Sequence, residues 1–366
     1  MSAQTMLCRS LLASDRHAAS SLHEAPVASK LAPTRPRLGF LGVGWIGRAR
    51  MQALHESGMA EIAAIADSND DARDAAAQIA ADARLHDSFE ALLQEEDLDG
   101  VVIATPSGAH AAQAIVALER GLAVFCQKPL ARTAAETRQV IEAARSADRL
   151  LGVDFSYRHV KGVSQLRELV RNSELGKLYA VDLTFHNAYG PDKPWFRDFA
   201  QSGGGCVMDL GIHLIDLACW VAGCTQTGQL HAQLFAHGRL LVQPTNEVED
   251  YASAQWRLRD DANENRASVR LTCSWNLPAG CDAVIEAAFY GTRGGAALRN
   301  VAGSFYDFTI ERFDRTQREC LAAPPDAWGG RALIEWAKHL HRDPRFDESA
   351  QKLIEVAAIM DRIYGR

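Results

Sequence analysis

Residues 38–47 read L-G-F-L-G-V-G-W-I-G, a short apolar run that passes directly into a glycine turn. A helical stretch follows to Ser57 and is stopped by Gly58, and a second apolar run, 62–66, ends on Asp67. The order is β-α-β. Each glycine has a physical task in it: Gly42 permits the tight turn, Gly44 lets the backbone approach a pyrophosphate, and Gly47 lets the helix pack on the strand. The helix start at Trp45 and Ile46 presents unpaired N–H groups to an anion. Asp67, about 20 residues beyond the last glycine, is placed to accept hydrogen bonds from ribose hydroxyls. A lone G-x-G-x-x-G also occurs in ordinary turns; the strand before it, the helix after it and the acid at this offset select the dinucleotide-binding reading.

Working outward, further apolar runs at 101–104, 123–126 and 150–153 alternate with helical stretches near 108–119 and 133–147. Short runs without polar alternation suit parallel strands buried on both faces, so residues 36–155 are read as a doubly wound Rossmann domain. Beyond Phe155 the texture changes to a helix near 161–171, a strand near 178–186 and a helix near 206–222. Strands then follow in succession at 250–258, 267–275, 283–291 and 304–312. That succession predicts an α+β domain over 156–366 with an open, mostly antiparallel sheet. Helical spacing returns from Trp328, in helices free to pack back on the first domain. Residues 1–35, rich in Ala, Ser and Pro, are read as a flexible tail. Arg9, Arg16, Lys30 and Arg35 against only Asp15 and Glu24 keep an organellar transit peptide as the alternative.

Composition narrows the class. The 366 residues exceed the ~250–300 at which single cores stop growing, and 47% apolar with 23% charged residues is the balance of a globular protein. A net charge of −7 with no basic block argues against nucleic acid as a partner. No uninterrupted apolar run approaches the ~18 residues of a membrane span. Eight cysteines scattered without C-x-x-C read as reduced thiols of a cytoplasmic protein.

Several residues carry potential chemistry. A carboxylate at Asp67, followed by Ser68-Asn69-Asp70, repels a 2′-phosphate without a neighbouring cation to offset it, so NAD is favoured over NADP. The loop Thr105-Pro106-Ser107-Gly108-Ala109-His110 follows a strand, where ligands of open α/β sheets bind; as a bare turn it would simply cap the next helix. Lys128, fixed by Pro129 at the end of the 123–126 strand, can polarise a substrate oxygen or exchange a proton, or can be a solvated loop lysine. In G-G-G-C-V-M-D-L-G-I-H-L-I-D, residues 203–216, an apolar helical stripe runs beside a polar one made of Asp209, His213 and Asp216. Removing hydride from a secondary alcohol needs a base for the hydroxyl proton, and His213 is the candidate. Asp209 then orients the imidazole or binds a neighbouring hydroxyl. The plainer reading is a polar helix face. Neither Cys nor His recurs there at metal-ligand spacing.

With these motifs the chain resembles the glucose-fructose oxidoreductase/inositol dehydrogenase/MocA family over residues 37–366. The markers are G-V-G-W-I-G with Asp67, T-P-S-G-A-H, Q-K-P, Tyr157-Arg158, W-F-R at 195–197, the 203–216 segment, V-E-D at 248–250 and G-T-R-G-G at 291–295. The resemblance implies a catalytic set of Lys128, Asp209 and His213. It implies cofactor contacts from Gly42, Gly44, Trp45, Ile46, Gly47, Asp67, Thr105, Pro106, His110, Gln127 and Lys128, and substrate contacts from Arg158, Trp195, Asp209 and His213. It also implies that the open sheet mediates a homo-oligomer. The family usually carries E-K-P where this chain has Gln127-Lys128-Pro129, so an amide replaces a negative charge beside the lysine.

The function expected is NAD-dependent oxidation or reduction of a hydroxyl or carbonyl in a sugar, polyol or sugar derivative. The alternatives are an enzyme that cycles a tightly held NAD to epimerise, eliminate or hydrolyse a glycoside, and a non-catalytic dinucleotide-binding regulator.

Overall fold

The computed structural model describes residues 35–242, 247–260 and 266–366; the expected tail, residues 1–34, lies outside the described residues. Six strands, β1 (Arg37–Leu41), β2 (Glu61–Ala66), β3 (Arg84–His86), β4 (Gly100–Ile103), β5 (Ala123–Cys126) and β6 (Leu151–Val153), alternate with helices α1 (Trp45–Ser57), α2 (Asp70–Ala77), α3 (Phe89–Leu92), α4 (Ser107–Glu119) and α5 (Ala134–Ala147). All pair in parallel in the order β3-β2-β1-β4-β5-β6. This is the doubly wound dinucleotide-binding order, with its crevice where the order reverses beside β1. Strands β4 and β5 are buried along their whole length, which is why they read as unbroken apolar runs.

The second part begins with α6 (Val163–Arg171), β7 (Leu178–Asn187), the short α7 (Phe199–Ser202) and α8 (Ile212–Ala222). Strands β8 (Cys224–Ala236), β9 (Arg239–Leu240), β10 (Tyr251–Asp260), β11 (Arg266–Ser274), β12 (Ala283–Gly291), β13 (Gly295–Asn300), β14 (Phe308–Asp314) and β15 (Gln317–Ala322) follow, then α9 (Arg331–Arg342) and α10 (Lys352–Ile363). Among the described residues the sheet runs β15-β14-β13-β12-β7-β11-β10-β8-β9, antiparallel throughout except for the β7–β11 pair. Its inner face, with Leu183, Trp256, Leu271 and Phe289, packs in one core with Leu166 of α6 and Leu214, Leu217 and Val221 of α8. Burying each of these leucines contributes about 1.5–3 kcal/mol. The stretch 199–222 is apolar and long enough to cross a membrane by length and composition, but 72% of its most apolar window is buried inside the fold, as in a core helix.

Two features of this layout matter for the site, the first a departure from the expected helix and the second a packing the sequence allows. Residues 206–222 do not form one uniform α-helix: 207–211 make a π-helical turn ahead of α8. Helix α9, although late in the chain, joins the first core, where Leu333, Trp336 and Leu340 pack with Phe40 and Phe125.

Candidate active site

A cavity of about 1510 Å³ runs from the glycine turn after β1, past the C-terminal ends of β4 and β5, to the π-helical turn and the loop before α7. At its first end the three glycines show their separate reasons. Gly42 has φ +84°, and a Cβ there would lie 2.7 Å from the Ala104 backbone. A Cβ on Gly47 would meet the Gly42 carbonyl at 2.2 Å, whereas one on Gly44 would have open space around it. Open backbone at Gly44, with no acidic residue in the first turn of α1, fits a pyrophosphate. Trp45 is 67% exposed at the rim.

Asp67 accepts the Val43 N–H on Oδ2 (2.8 Å) and the Asn69 N–H on Oδ1 (3.0 Å), which ties the glycine turn to the end of β2. Each oxygen retains a lone pair for a ribose hydroxyl. Arg73, three residues beyond the stretch read from sequence, donates to the Asp67 carbonyl and pairs with Asp70. A cation does therefore stand nearby, already engaged by an acid.

Thr105, Pro106 and His110 line the middle of the cavity. His110 is buried, with Nδ1 2.7 Å from the Pro129 carbonyl and Nε2 2.7 Å from the Thr105 carbonyl. It clamps the loop after β4 to the loop after β5. Burial pulls its pKa below the ordinary histidine value while the two carbonyls pull it up, and the charge of Lys128 adds to the lowering. Gln127 and Lys128 follow β5. Ile46, Gln127 and Lys128 line the same cavity.

From the other side the π-helical turn and α8 deliver Asp209 and His213. This segment is held at its start by Glu249, a fully buried carboxylate that accepts the Gly205 N–H (2.9 Å), the Val207 N–H (2.9 Å) and the Tyr364 hydroxyl (2.8 Å). Lys128 Nζ donates to Asp209 Oδ1 at 2.9 Å and to the Asp209 carbonyl at 2.7 Å. The other carboxylate oxygen accepts the Trp275 indole N–H at 3.1 Å. Both oxygens of Asp209 thus have partners other than His213, with a lone pair left on each. The His213 Nδ1 is buried with no hydrogen-bond partner, and its ring lies 5.0 Å from that of Tyr157. Burial first, then the charges of Lys128 and Arg50, hold the His213 pKa well below the ordinary histidine value. The ring is neutral at neutral pH.

The substrate side of the cavity has an aromatic wall. Trp195 stacks on Phe196 (centroids 3.8 Å), and Phe196 meets Trp275 edge-on (6.4 Å). Trp195 is where the sequence reading expects it. Arg158 is not: its guanidinium is held by two hydrogen bonds to the buried Asp216, and it is not among the residues lining the cavity. Asp216, expected on the polar stripe with His213, is buried under α8 for the same reason, because a buried carboxylate needs a cation to offset its desolvation. Among the described residues, no three His, Cys, Asp or Glu side chains gather as metal ligands.

Comparison with known proteins bears on this geometry. The oxidoreductase family described as NAD-binding Rossmann fold matches residues 37–155, and the GFO/IDH/MocA C-terminal domain matches 163–297. The chain belongs to the GFO/IDH/MocA family. It is 32% identical to the rhizopine catabolism protein MocA of Rhizobium meliloti over 52% of this chain and 58% of that protein, little more than half the length of that relative. It is 30% identical to D-apiose dehydrogenase of Paraburkholderia graminis over 81% of this chain and 74% of that protein. Levoglucosan dehydrogenase, solved with NADH, shares the fold at TM-score 0.75 and 20% identity, over 90% of this chain and 96% of that one. The nucleotide-binding half of the site is therefore that of an NAD(P)-binding Rossmann fold.

Within this family member, sequence reading names Tyr157 and Phe196 only as family markers and does not single out Arg50, Asp154 or Trp275. Asp154 carried a usable signal, since it directly follows β6 at the edge of a parallel sheet where ligands bind. Trp275 carried none: only the pairing of β11 with β7 brings it under Asp209.

Proposed function

We propose that this protein is an NAD-dependent dehydrogenase acting on a CH–OH group of a sugar, polyol or sugar derivative, with Lys128, Asp209 and His213 at the reacting carbon. The observation that carries the reading is the Lys128–Asp209 contact, which joins a cation at the nucleotide-binding edge to the helix that bears His213 inside one cavity. A bound NAD, held at its pyrophosphate by the glycine turn and at a ribose by Asp67, would supply the hydride acceptor in oxidation and the hydride donor in reduction. The ammonium of Lys128 holds the substrate oxygen and stabilises negative charge developing on it. His213, neutral and with Nδ1 sealed in protein, offers Nε2 to the hydroxyl proton. Asp209 holds Lys128 in place, and Trp195 gives a flat apolar face to a sugar ring. In the relatives, the names D-apiose dehydrogenase and levoglucosan dehydrogenase point to the same substrate class.

NAD is the preferred cofactor on the charge of Asp67, with Gly42, Gly44, Trp45, Ile46, Gly47, Thr105, Pro106, His110 and Gln127 around it. A second copy of the chain covers the outer face of the nine-stranded sheet, where Asp182 and Arg270, Glu286 and Arg299 stand as ion pairs on an uncovered polar surface; light scattering in solution tests this. Free thiols at Cys126, Cys206, Cys273, Cys281 and Cys320 suit a cytoplasmic location. The test of function is absorbance at 340 nm with NAD and a panel of polyols, aldoses, uronic acids and nucleotide sugars. Stoichiometric NADH supports a dehydrogenase; product without net NADH means a redox-cycling enzyme, and tight NAD binding with no product means a regulator.

A further inference from the structure

The Gln127-Lys128 turn rests on a buried charge that the reading above leaves without a role. Asp154 is 0% exposed and follows β6, next to β5 in the sheet, with its N–H bonded to the Cys126 carbonyl at 2.9 Å. An ionised carboxylate at such depth persists only when its oxygens are fully paired. Here Oδ2 accepts Arg50 Nε–H (2.6 Å) and the Gln127 amide (2.9 Å), and Oδ1 accepts the Ser156 hydroxyl. Arg50 also donates to Ser156 Oγ at 3.0 Å, which closes the network.

Gln127 is the link between this network and the site. Its amide N–H binds Asp154, and its amide oxygen accepts the Lys128 backbone N–H at 2.9 Å. Both ends are used. A glutamate at 127 would set a second carboxylate oxygen 2.9 Å from Asp154 Oδ2, where two like charges cannot both persist without proton uptake or displacement. Gln127 and Asp154 therefore form one unit in which each residue requires the other.

We propose that Asp154 is the positioning residue for Lys128, acting through Gln127, and that it supplies a negative charge to the Gln127-Lys128 turn from the neighbouring strand. The proposal rests on the reading of Lys128 as the group that holds the substrate oxygen. Asp154 also pairs with Arg50, whose charge adds to that of Lys128 in lowering the His213 pKa.

The experiment compares the full-length enzyme with Asp154→Asn, Gln127→Glu and the double variant, which moves the charge by one hydrogen bond at constant net charge. Two quantities are read: kcat with the substrate found at 340 nm, and the acetylation rate of Lys128 by acetic anhydride, followed by peptide mass spectrometry. Each single variant should lower kcat by about 10-fold with KM for NAD changed less than about twofold, and the double variant should return to within about threefold of wild type. Lys128 should be acetylated several-fold faster in the singles and near the wild-type rate in the double. Singles at wild-type kcat and labelling, or a double variant that loses the product of the two single effects, overturn the proposal. If Asp154→Asn does not fold, Gln127→Glu against the double variant decides alone. If wild type turns over no compound, the reading of function has failed, and the acetylation pattern by itself still decides the role of Asp154.

Discussion

Lys128 and Asp209 meet across the cavity, the Lys128 Nζ lying 2.9 Å from Asp209 Oδ1 and 2.7 Å from the carbonyl oxygen of the same residue. The two contacts differ in what a substitution removes. Lys128→Ala takes away the cation and should lower kcat by ~10²-fold or more, with the Kd for NADH nearly unchanged. Asp209→Asn leaves the carbonyl contact and costs only the charged one, so a loss of about 10-fold is expected. Steady-state kinetics with NADH-fluorescence titration checks both. Wild-type turnover in Lys128→Ala sinks the assignment, and an Asp209→Asn loss as deep as that of Lys128→Ala gives Asp209 a direct part in the chemistry.

The cofactor preference is open to a similar test. Asp67 is fixed by two backbone N–H groups, which hold its charge at the end of the glycine turn. NAD should bind more tightly than NADP by about 1–3 kcal/mol, the scale of an uncompensated charged or polar mismatch. Isothermal titration with both nucleotides measures it. Equal affinities would mean that Arg73 leaves Asp70 to pair with the 2′-phosphate, and Arg73→Ala should then weaken NADP alone.

Glu249 is expected to matter for folding rather than for chemistry. Removing its carboxylate strands the Gly205 and Val207 N–H groups and the Tyr364 hydroxyl, all buried. Unsatisfied buried donors cost about 1–3 kcal/mol each, so Glu249→Ala should lower stability by about 3 kcal/mol or more. Urea denaturation decides: a midpoint equal to wild type would show that the loop re-pairs elsewhere. Tyr364→Phe, which removes one donor to Glu249 and strands the Met208 N–H, should show a smaller shift than the loss of all three partners.

How far this was legible follows from which contacts are local. Strands β4 and β5 were readable because burial on both faces writes itself as an apolar run. Strand β3 was not, since Arg84–His86 is three residues long and largely exposed. Strand β13, which begins at Gly295, falls between the expected strands at 283–291 and 304–312, and the exposed edge strand β15 has no apolar face to announce it. In the site, the glycine turn and Asp67 announce themselves by spacing along the chain, whereas Lys128 and His213 stand out only through the resemblance to the family. For Asp209 the spacing from His213 suggests orienting the imidazole or binding a neighbouring hydroxyl, and it says nothing of Lys128. Helical spacing paired it with His213, while its partners Lys128 and Trp275 lie 81 and 66 residues away in the chain. Arg158 and Asp216, 58 residues apart, find each other only through the packing of α8.

The last prediction concerns pH. His213 has its pKa held well below the ordinary value of 6.5, chiefly by burial and then by the Lys128 and Arg50 charges. Only the neutral ring accepts a proton, so the acid limb of kcat/KM belonging to His213 should lie well below pH 6.5, and activity should stay level as pH falls through 6.5. Stability carries the same information with a definite sign. Between the depressed folded pKa and the unfolded value, the unfolded chain binds a proton that the native state does not, so acidification through 6.5 favours unfolding. His213→Gln lacks that proton site. Its Tm should therefore fall less steeply than that of wild type as pH drops below 6.5, while its kcat falls by ~10²-fold for loss of the base. His110, His159 and His186 are also shifted downward and remain in both proteins, so the difference between the two curves isolates His213. Parallel Tm curves would mean that the ring titrates normally in the folded state. Near-normal turnover in His213→Gln would move the base to Lys128 or to a relayed water.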